Sequence, residues 1–197
     1  MKIGIIGAGA IGVVLAKKLL AANYEVEISN SRGPGSLKDI IATLGEKAKA
    51  VDTVTAADNE VVILAVRWVS VEQVLKQVAP QLSGKILIDT TNPVINMGDL
   101  VDLHATTSSE LVASYIPDTK VVKAFNTLKA QWLTDSLSDV TSNRVVFTSG
   151  TFDDANTTVS NIISDMGFSP IVLGNLAIGG AVQQYGKPLA LKNLWLL

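Results

Sequence analysis

Residues 2–12 read KIGIIGAGAIG, and the way this stretch divides decides the fold. Lys2 to Ile6 is an apolar run of strand length, after which Gly7, Gly9 and Gly12 fall into the pattern G-x-G-x-x-G. In a dinucleotide fingerprint each glycine has its own task. The first lets the strand turn tightly, the second lets backbone approach a pyrophosphate with no side chain between, and the third lets helix and strand pack closely. Ile11, Val14, Leu15 and Leu19 then recur at helical spacing while Lys17 and Lys18 face water, and the N-terminus of that helix offers free N–H groups and a positive dipole end to phosphate. Strings of glycine and alanine can be mere close packing. Here the loop follows an apolar strand, opens an amphipathic helix and leads to a second strand within about 30 residues, which is the context of a true nucleotide fingerprint.

The second strand, read from Tyr24 to Ser29, runs into Asn30, Ser31 and Arg32 and then a Gly33-Pro34-Gly35 turn. Folds selective for NAD place a carboxylate about 20 residues past the glycines, where it accepts from the ribose 2′-hydroxyl and repels a 2′-phosphate. In this chain that place falls at Asn30. Asn30 and Ser31 can hydrogen-bond phosphate oxygens, and the planar, permanently charged Arg32 can pair with the phosphate or stack on adenine. NADP is therefore expected over NAD. The plainer alternative is a polar strand end carrying a solvated arginine.

Beyond this unit, apolar runs of strand length alternate with helical periodicity, the pattern of a doubly wound, mostly parallel α/β sheet. A helix is expected from Ser36 to Leu44 and a small strand near Ala48 to Val51, followed by a buried strand in NEVVILAV. Ser70 and Gln73 have capping-box spacing for a helix ended by Pro80, and Thr107 and Glu110 for one that stops at Pro117. GKILIDTTNP, KVVKAFNT, RVVFTSG and SPIVLG supply further strands. A short helix is read from Ala130 to Asp135. A longer one opens at Asp153 and Asp154, buries Val159, Ile162, Ile163 and Met166, and ends at Gly167.

Composition narrows the function. The chain has 197 residues, 48% hydrophobic and 17% charged, which suits a compact globular core and excludes a disordered class. A formal charge of −2 gives no footprint for nucleic acid. Cysteine is absent and His104 is the single histidine, so thiolate chemistry and a protein-built metal centre are disfavoured. Lys2 and the apolar run after it have the look of a signal peptide. The glycine spacing, and the absence of a small-x-small site after Lys17-Lys18, oppose that reading. No run approaches the roughly 18 residues needed to span a bilayer, and a cytoplasmic protein without a membrane partner is expected.

Ligands of open parallel sheets sit outside the carboxyl ends of the strands. That points to Ala65-Val66-Arg67-Trp68, to Thr90-Thr91-Asn92-Pro93, and to Phe125 and Asn126 as substrate-side residues. Trp68 can wall a nicotinamide or pack under a loop, and Arg67 can face a pyrophosphate or an acidic substrate, or stand as a surface charge. His104 lies in a polar loop and reads as solvent-facing. No tyrosine has a lysine four residues on, and no general acid presents itself, so the catalytic residues are unassigned. A flavin or deazaflavin acceptor tolerates that, since stacking geometry and exclusion of water then carry the reaction. A non-catalytic NADP(H)-binding redox sensor and a small carbonyl or imine reductase stay open as alternatives.

KIGIIGAGAIG, SNSRGP, VVILAVRW, IDTTNP, VVKAFNTL and the C-terminal GFSPIVLGNLAIGGAVQQYGKPLALKNLWLL together resemble the coenzyme F-420-dependent NADP oxidoreductase family. The resemblance spans essentially the whole chain. It implies a Rossmann domain, placed at residues 1–150, a short C-terminal extension, residues 151–197, closing over the cofactor cleft, and a homodimer. It further implies that Gly7, Ala8, Gly9, Ala10 and Ile11 hold pyrophosphate and that Ser31 and Arg32 hold the 2′-phosphate. Ala65 to Trp68 with Thr91, Asn92 and Pro93 would border the nicotinamide, where a small-molecule hydride acceptor enters. Two positions depart from the family: Arg67 stands where the deazaflavin users carry proline, and Asn126 where they carry a histidine.

Overall fold

In the computed structural model, which describes residues 1–95, 98–104, 106–134 and 143–196, strands and helices alternate from the first residues. In chain order they are β1 (Lys2–Ile6), α1 (Ala10–Ala21), β2 (Glu25–Ser29), α2 (Lys38–Leu44), β3 (Ala48–Ala50), α3 (Thr53–Ala57), β4 (Val61–Leu64), α4 (Val71–Leu82) and β5 (Ile86–Asp89). A hairpin of β6 (Val94–Ile95) and β7 (Asp99–Leu100) follows, then α5 (Ser108–Tyr115), β8 (Lys120–Ala124), α6 (Ala130–Thr134) and β9 (Asn143–Gly150). The chain closes with α7 (Asp153–Asp165), β10 (Phe168–Val172), α8 (Ile178–Gln183) and β11 (Trp195–Leu196).

One nine-stranded sheet has the order β10-β9-β8-β5-β4-β1-β2-β3, with β11 added on β9. From β3 to β8 all neighbours are parallel. The chain crosses from β2 on one side of β1 to β4 on the other, so the carboxyl ends of β1 and β4 flank the point where the winding reverses. Crevices for ligands open at that point. β9 runs antiparallel to β8, and β10 follows β9 in parallel. Because β8 pairs only with the far end of β9, the exposed start of β9 is covered by β11, through Trp195 opposite Arg144. The Trp195 ring also lies 4.5 Å from the Arg144 guanidinium.

Alternation along the central strands builds a core on each face. In β4, Val61 and Ile63 face α1 and α7 while Val62 and Leu64 face α4 and α5, and all are nearly fully buried. A strand buried on both sides has to be apolar at every position, which is why NEVVILAV shows no alternation.

Several local readings need correction. Pro80 lies inside α4, which runs on to Leu82; in the last turn it removes a single helical hydrogen bond and is tolerated. Ser70 makes no side-chain cap, because residues Trp68–Ser70 form a 3-10 turn ahead of the helix. The region of Ser36 is likewise a 3-10 turn, Pro34–Leu37, before α2. α3 was without a sequence expectation. It is capped by Asp52, whose carboxylate accepts from Thr55 N at 2.8 Å, and these backbone hydrogen bonds, chiefly that from Thr55, hold the carboxyl below its usual pKa range. Thr107 and Glu110 do form the reciprocal capping box of α5. α6 is described from Ala130 to Thr134, and Asp135 lies outside the described residues.

Candidate functional site

The three glycines occupy three different environments. Gly7 has φ +114°, and a Cβ there would meet Ala65 O at 2.2 Å. A Cβ on Gly12 would sit 1.9 Å from Gly7 O, so helix and strand approach as closely as backbone allows. Around Gly9 a Cβ would meet nothing within 4 Å. The middle glycine thus faces open space, at the N-cap of α1, where an approaching pyrophosphate would be. Val13 N makes the first bond of the helix, to Gly9 O at 3.0 Å. The N–H groups ahead of it have no intrahelical acceptor and can bind an anion.

At the end of β2, Ser29 is buried and its carbonyl accepts from Gly7 N at 3.0 Å, which ties the second strand to the glycine loop. The next residues divide the expected phosphate group. Asn30 is engaged within its own turn: its Oδ1 accepts from Arg32 N at 2.9 Å and its Nδ2 donates to Ser36 Oγ at 2.9 Å. These bonds shape the loop. Ser31 and Arg32 are exposed.

A cleft of about 580 Å3 opens beside the glycine loop at the carboxyl ends of β4 and β5, within the range of about 300–1,000 Å3 usual for small-ligand sites. Ile11, Ala65, Val66, Arg67, Trp68, Thr91 and Asn92 line it, joined by Val69, Thr90, Val94 and Ile95. Pro93 is buried behind its rim, with its carbonyl accepting from Val101 N at 2.9 Å. No carboxylate, imidazole, phenol or ammonium lines the cleft among the described residues. Its hydroxyls point inward, Thr90 Oγ1 donating to Leu64 O at 2.9 Å and Thr91 Oγ1 to Asp89 Oδ1 at 2.7 Å.

Two expected substrate residues lie elsewhere. Phe125 is 1% exposed and packs edge-on against Phe168, with centroids 6.2 Å apart. Its backbone has φ +61°, so the chain turns sharply at the end of β8 and drives the ring into the core. Asn126 is buried too, in an amide network. It donates to Asn92 Oδ1 at 3.1 Å and to Gln183 O at 2.8 Å, while Asn92 Nδ2 donates to Asn126 O at 2.8 Å. Gln183 Nε2 donates to Asn126 Oδ1 at 3.0 Å, and Ser149 hydrogen-bonds Gln183 Oε1. Tyr185 N also reaches Asn92 Oδ1, at 3.1 Å. These bonds fasten α8 and the residues after it to the strand ends beside the cleft.

Sequence reading missed the support beneath the cleft. Asp89 and Lys123 stand opposite each other in the register of β5 and β8 and are both fully buried, 3.2 Å apart. Lys123 Nζ also donates to Thr91 O at 3.0 Å and to Ser109 Oγ at 2.9 Å, and Ser109 Oγ donates to Asp89 Oδ2 at 2.5 Å. The second Asp89 oxygen takes Thr91 N at 2.8 Å. The residues flooring the cleft are thus held by a buried ion pair. The available signal was an acid and a lysine each set beside apolar strand residues, since neither is buried without a partner. His104 is 91% exposed, with Asp102 Oδ2 at 3.4 Å, and lies at a separate cavity of about 420 Å3. Among the described residues no group of three His, Asp or Glu could hold a metal, and no helix is long and apolar enough to cross a membrane.

A parallel sheet with this glycine geometry and a crevice where its winding reverses defines a Rossmann-type dinucleotide-binding domain. The model of the family of coenzyme F420-dependent NADP oxidoreductases matches residues 2–93. The chain is 42% identical to the hypothetical protein SMa0349 of Sinorhizobium meliloti, over 100% of this chain and 97% of that one, with a TM-score of 0.93. A protein from Arthrobacter sp. FB24, described as a candidate F420-dependent NADP-reductase, is 26% identical over 89% of this chain and 86% of its own, with a TM-score of 0.78. Metalloreductase STEAP3 of Rattus norvegicus is 32% identical over 194 residues, 98% of this chain and 38% of that protein. The chain therefore spans well under half the length of the curated relatives it matches. The fold is the Rossmann type expected from its first residues.

Proposed function

We propose that the protein passes a hydride between NADP(H) and a flavin-like ring, flavin or deazaflavin, that enters the cleft beside Trp68. The observation that carries this reading is the absence of any carboxylate, imidazole, phenol or ammonium among the described residues lining that cleft. Reduction of a carbonyl or imine needs a proton delivered at the reacting atom, and efficient reductases of that kind place an acid there. NADPH supplies the hydride, which carries two electrons; a flavin takes it at a ring nitrogen and a deazaflavin at the carbon that replaces that nitrogen, while water supplies the proton for a second ring nitrogen.

In this reading Gly7 to Gly12 and the N-terminus of α1 receive the pyrophosphate, and Ser31 and Arg32 receive the 2′-phosphate. Ala65, Val66 and Thr90 to Asn92 border the nicotinamide. Trp68, Ile11, Val94 and Ile95 supply apolar walls that exclude water, and the Asp89–Lys123 pair holds the floor in one geometry. The likeness to a metalloreductase supports the same acceptor class. A hydride carries two electrons and a metal ion accepts them singly, so a flavin, which can release its electrons one at a time, resolves the mismatch where a deazaflavin would not.

The test is steady-state NADPH oxidation under nitrogen with riboflavin, FMN, a deazaflavin, and a panel of small ketones and cyclic imines. The reading predicts turnover with the tricyclic acceptors and none with the panel. Turnover confined to a ketone or imine would replace it with a carbonyl or imine reductase. NADPH binding without any turnover would replace it with a redox sensor.

A further inference from the structure

We propose that Arg67 recognises a phosphate or equivalent fixed anion on the acceptor, so that the acceptor is a phosphorylated flavin-like molecule and not the bare ring. This rests on the flavin-like reading above and names the acceptor's chemistry more closely.

NADPH brings two anionic loci, and the fold offers a place for each. The pyrophosphate has the glycine loop with the N-terminus of α1, and the 2′-phosphate has Ser31 and Arg32 at the end of β2. Arg67 is a third cationic position. It lines the cleft on the side of Trp68 and is exposed. Its side chain has no hydrogen bond or ion pair with the described residues. The acid nearest in sequence, Glu72, is paired with Lys76 at 2.6 Å, and no carboxylate lines the cleft among the described residues. The guanidinium is thus the one charged group there without an internal counterion.

Its base is fixed although its head is free. Ala65 N donates to Ile6 O at 2.8 Å, and the Arg67 carbonyl accepts from Ser70 N at 2.9 Å. Gly7 leaves no room for so much as a methyl group against Ala65 O, so the strand end cannot shift toward the glycine loop. The side chain therefore leaves the backbone at a set point on the cleft's edge. Guanidinium stays charged at all working pH values and binds phosphate through two parallel N–H bonds, which suits it to an anchor for an anionic tail while the tricyclic ring lies deeper.

The test compares FMN with riboflavin, which differ by the 5′-phosphate, in the wild-type protein and in Arg67→Ala and Arg67→Lys. Wild type is expected to favour FMN in kcat/KM by roughly 10–100-fold, the range of one charge-assisted anchor. Arg67→Ala should raise KM for FMN by the same factor, change riboflavin and the Kd for NADPH by far less, and be partly restored in Arg67→Lys. Inorganic phosphate should compete with FMN and not with riboflavin. Equal losses with riboflavin would overturn the proposal and make Arg67 a partner of the reduced ring. An NADPH Kd weakened by as much would overturn it in favour of a nicotinamide-nucleotide contact. If no flavin turns over, the functional reading fails on its own. Fluorescence quenching of FMN and riboflavin by the NADP+-loaded protein then still decides Arg67: tighter FMN binding lost in Arg67→Ala upholds it, and equal binding of both sinks it.

Discussion

Substituting alanine at Gly9 and at Gly12 separates the nucleotide function of the glycine loop from its packing function. A Cβ at Gly12 would lie 1.9 Å from Gly7 O, a backbone atom that cannot rotate aside. Helix α1 has to move away from β1, and overpacking of this kind costs about 1–3 kcal/mol. For a domain of this length that lowers Tm by roughly 3–9 °C. At Gly9 the same methyl meets nothing within 4 Å, and the backbone there, with φ −81° and ψ −171°, is extended and open to any residue. Gly9→Ala should therefore melt like wild type. The methyl would instead stand in the path of the pyrophosphate and weaken NADPH by about tenfold or more, the equivalent of some 1.4 kcal/mol. Differential scanning fluorimetry and isothermal titration of NADPH measure both quantities on both variants. Unchanged NADPH binding in Gly9→Ala, or a Tm loss equal to that of Gly12→Ala, would refute the division of roles.

Other consequences follow from the same geometry. Arg32→Ala should weaken NADPH by about 10–100-fold, the loss of one charge-assisted bond to phosphate, while NADH changes by less than about twofold; equal losses in titration calorimetry would remove Arg32 from the 2′-phosphate. Lys123→Met strands the buried Asp89 carboxylate and should cost about 3–5 kcal/mol in urea unfolding, with Asp89→Asn/Lys123→Met recovering most of it. A double variant no more stable than the single one would show that the pair is not the dominant interaction. Burial, followed by the 2.5 Å hydrogen bond to Asp165, pushes the Tyr24 phenol up to about 12 from 10.0. Folding therefore favours the protonated phenol, and that contribution is complete below pH about 10 and fades as pH rises toward 12. An alkaline absorbance titration should show one late-ionising tyrosine, absent from Tyr24→Phe; an identical late step in the variant would contradict this.

How much of this was legible depended on whether the signal was local. The glycine loop could be read because strand, loop and helix carry their own spacing within one short unit. The α5 capping box and the buried face of α7 were legible for the same reason. α3 was not, since its length of five residues is too short to show a period. The reversed direction of β9 was not legible either, because an apolar strand buried on both faces reads the same in either direction. Arg67, Trp68 and Asn92, singled out by the rule that ligands gather at strand ends, do line the cleft. That rule did not foresee Phe125, where a positive φ turns the side chain into the core. The Asp89–Lys123 pair and the Asn92, Asn126 and Gln183 network join residues far apart in sequence, and only the register of β5 against β8 and the docking of α8 bring them together.

The central claim is that the cleft beside Trp68 passes a hydride from NADPH to a flavin-like ring without an acid from the protein. It is tested most directly by anaerobic rapid mixing of the NADPH-loaded protein with FMN, following the nicotinamide and flavin absorbance bands together. The account predicts that both bands fall with one rate constant and in equal molar amounts, that deuterium at the transferred position of NADPH slows both, and that the rate is flat with pH across the neutral range. Nicotinamide loss without flavin reduction, or a rate governed by a protein acid titrating in that range, would contradict it.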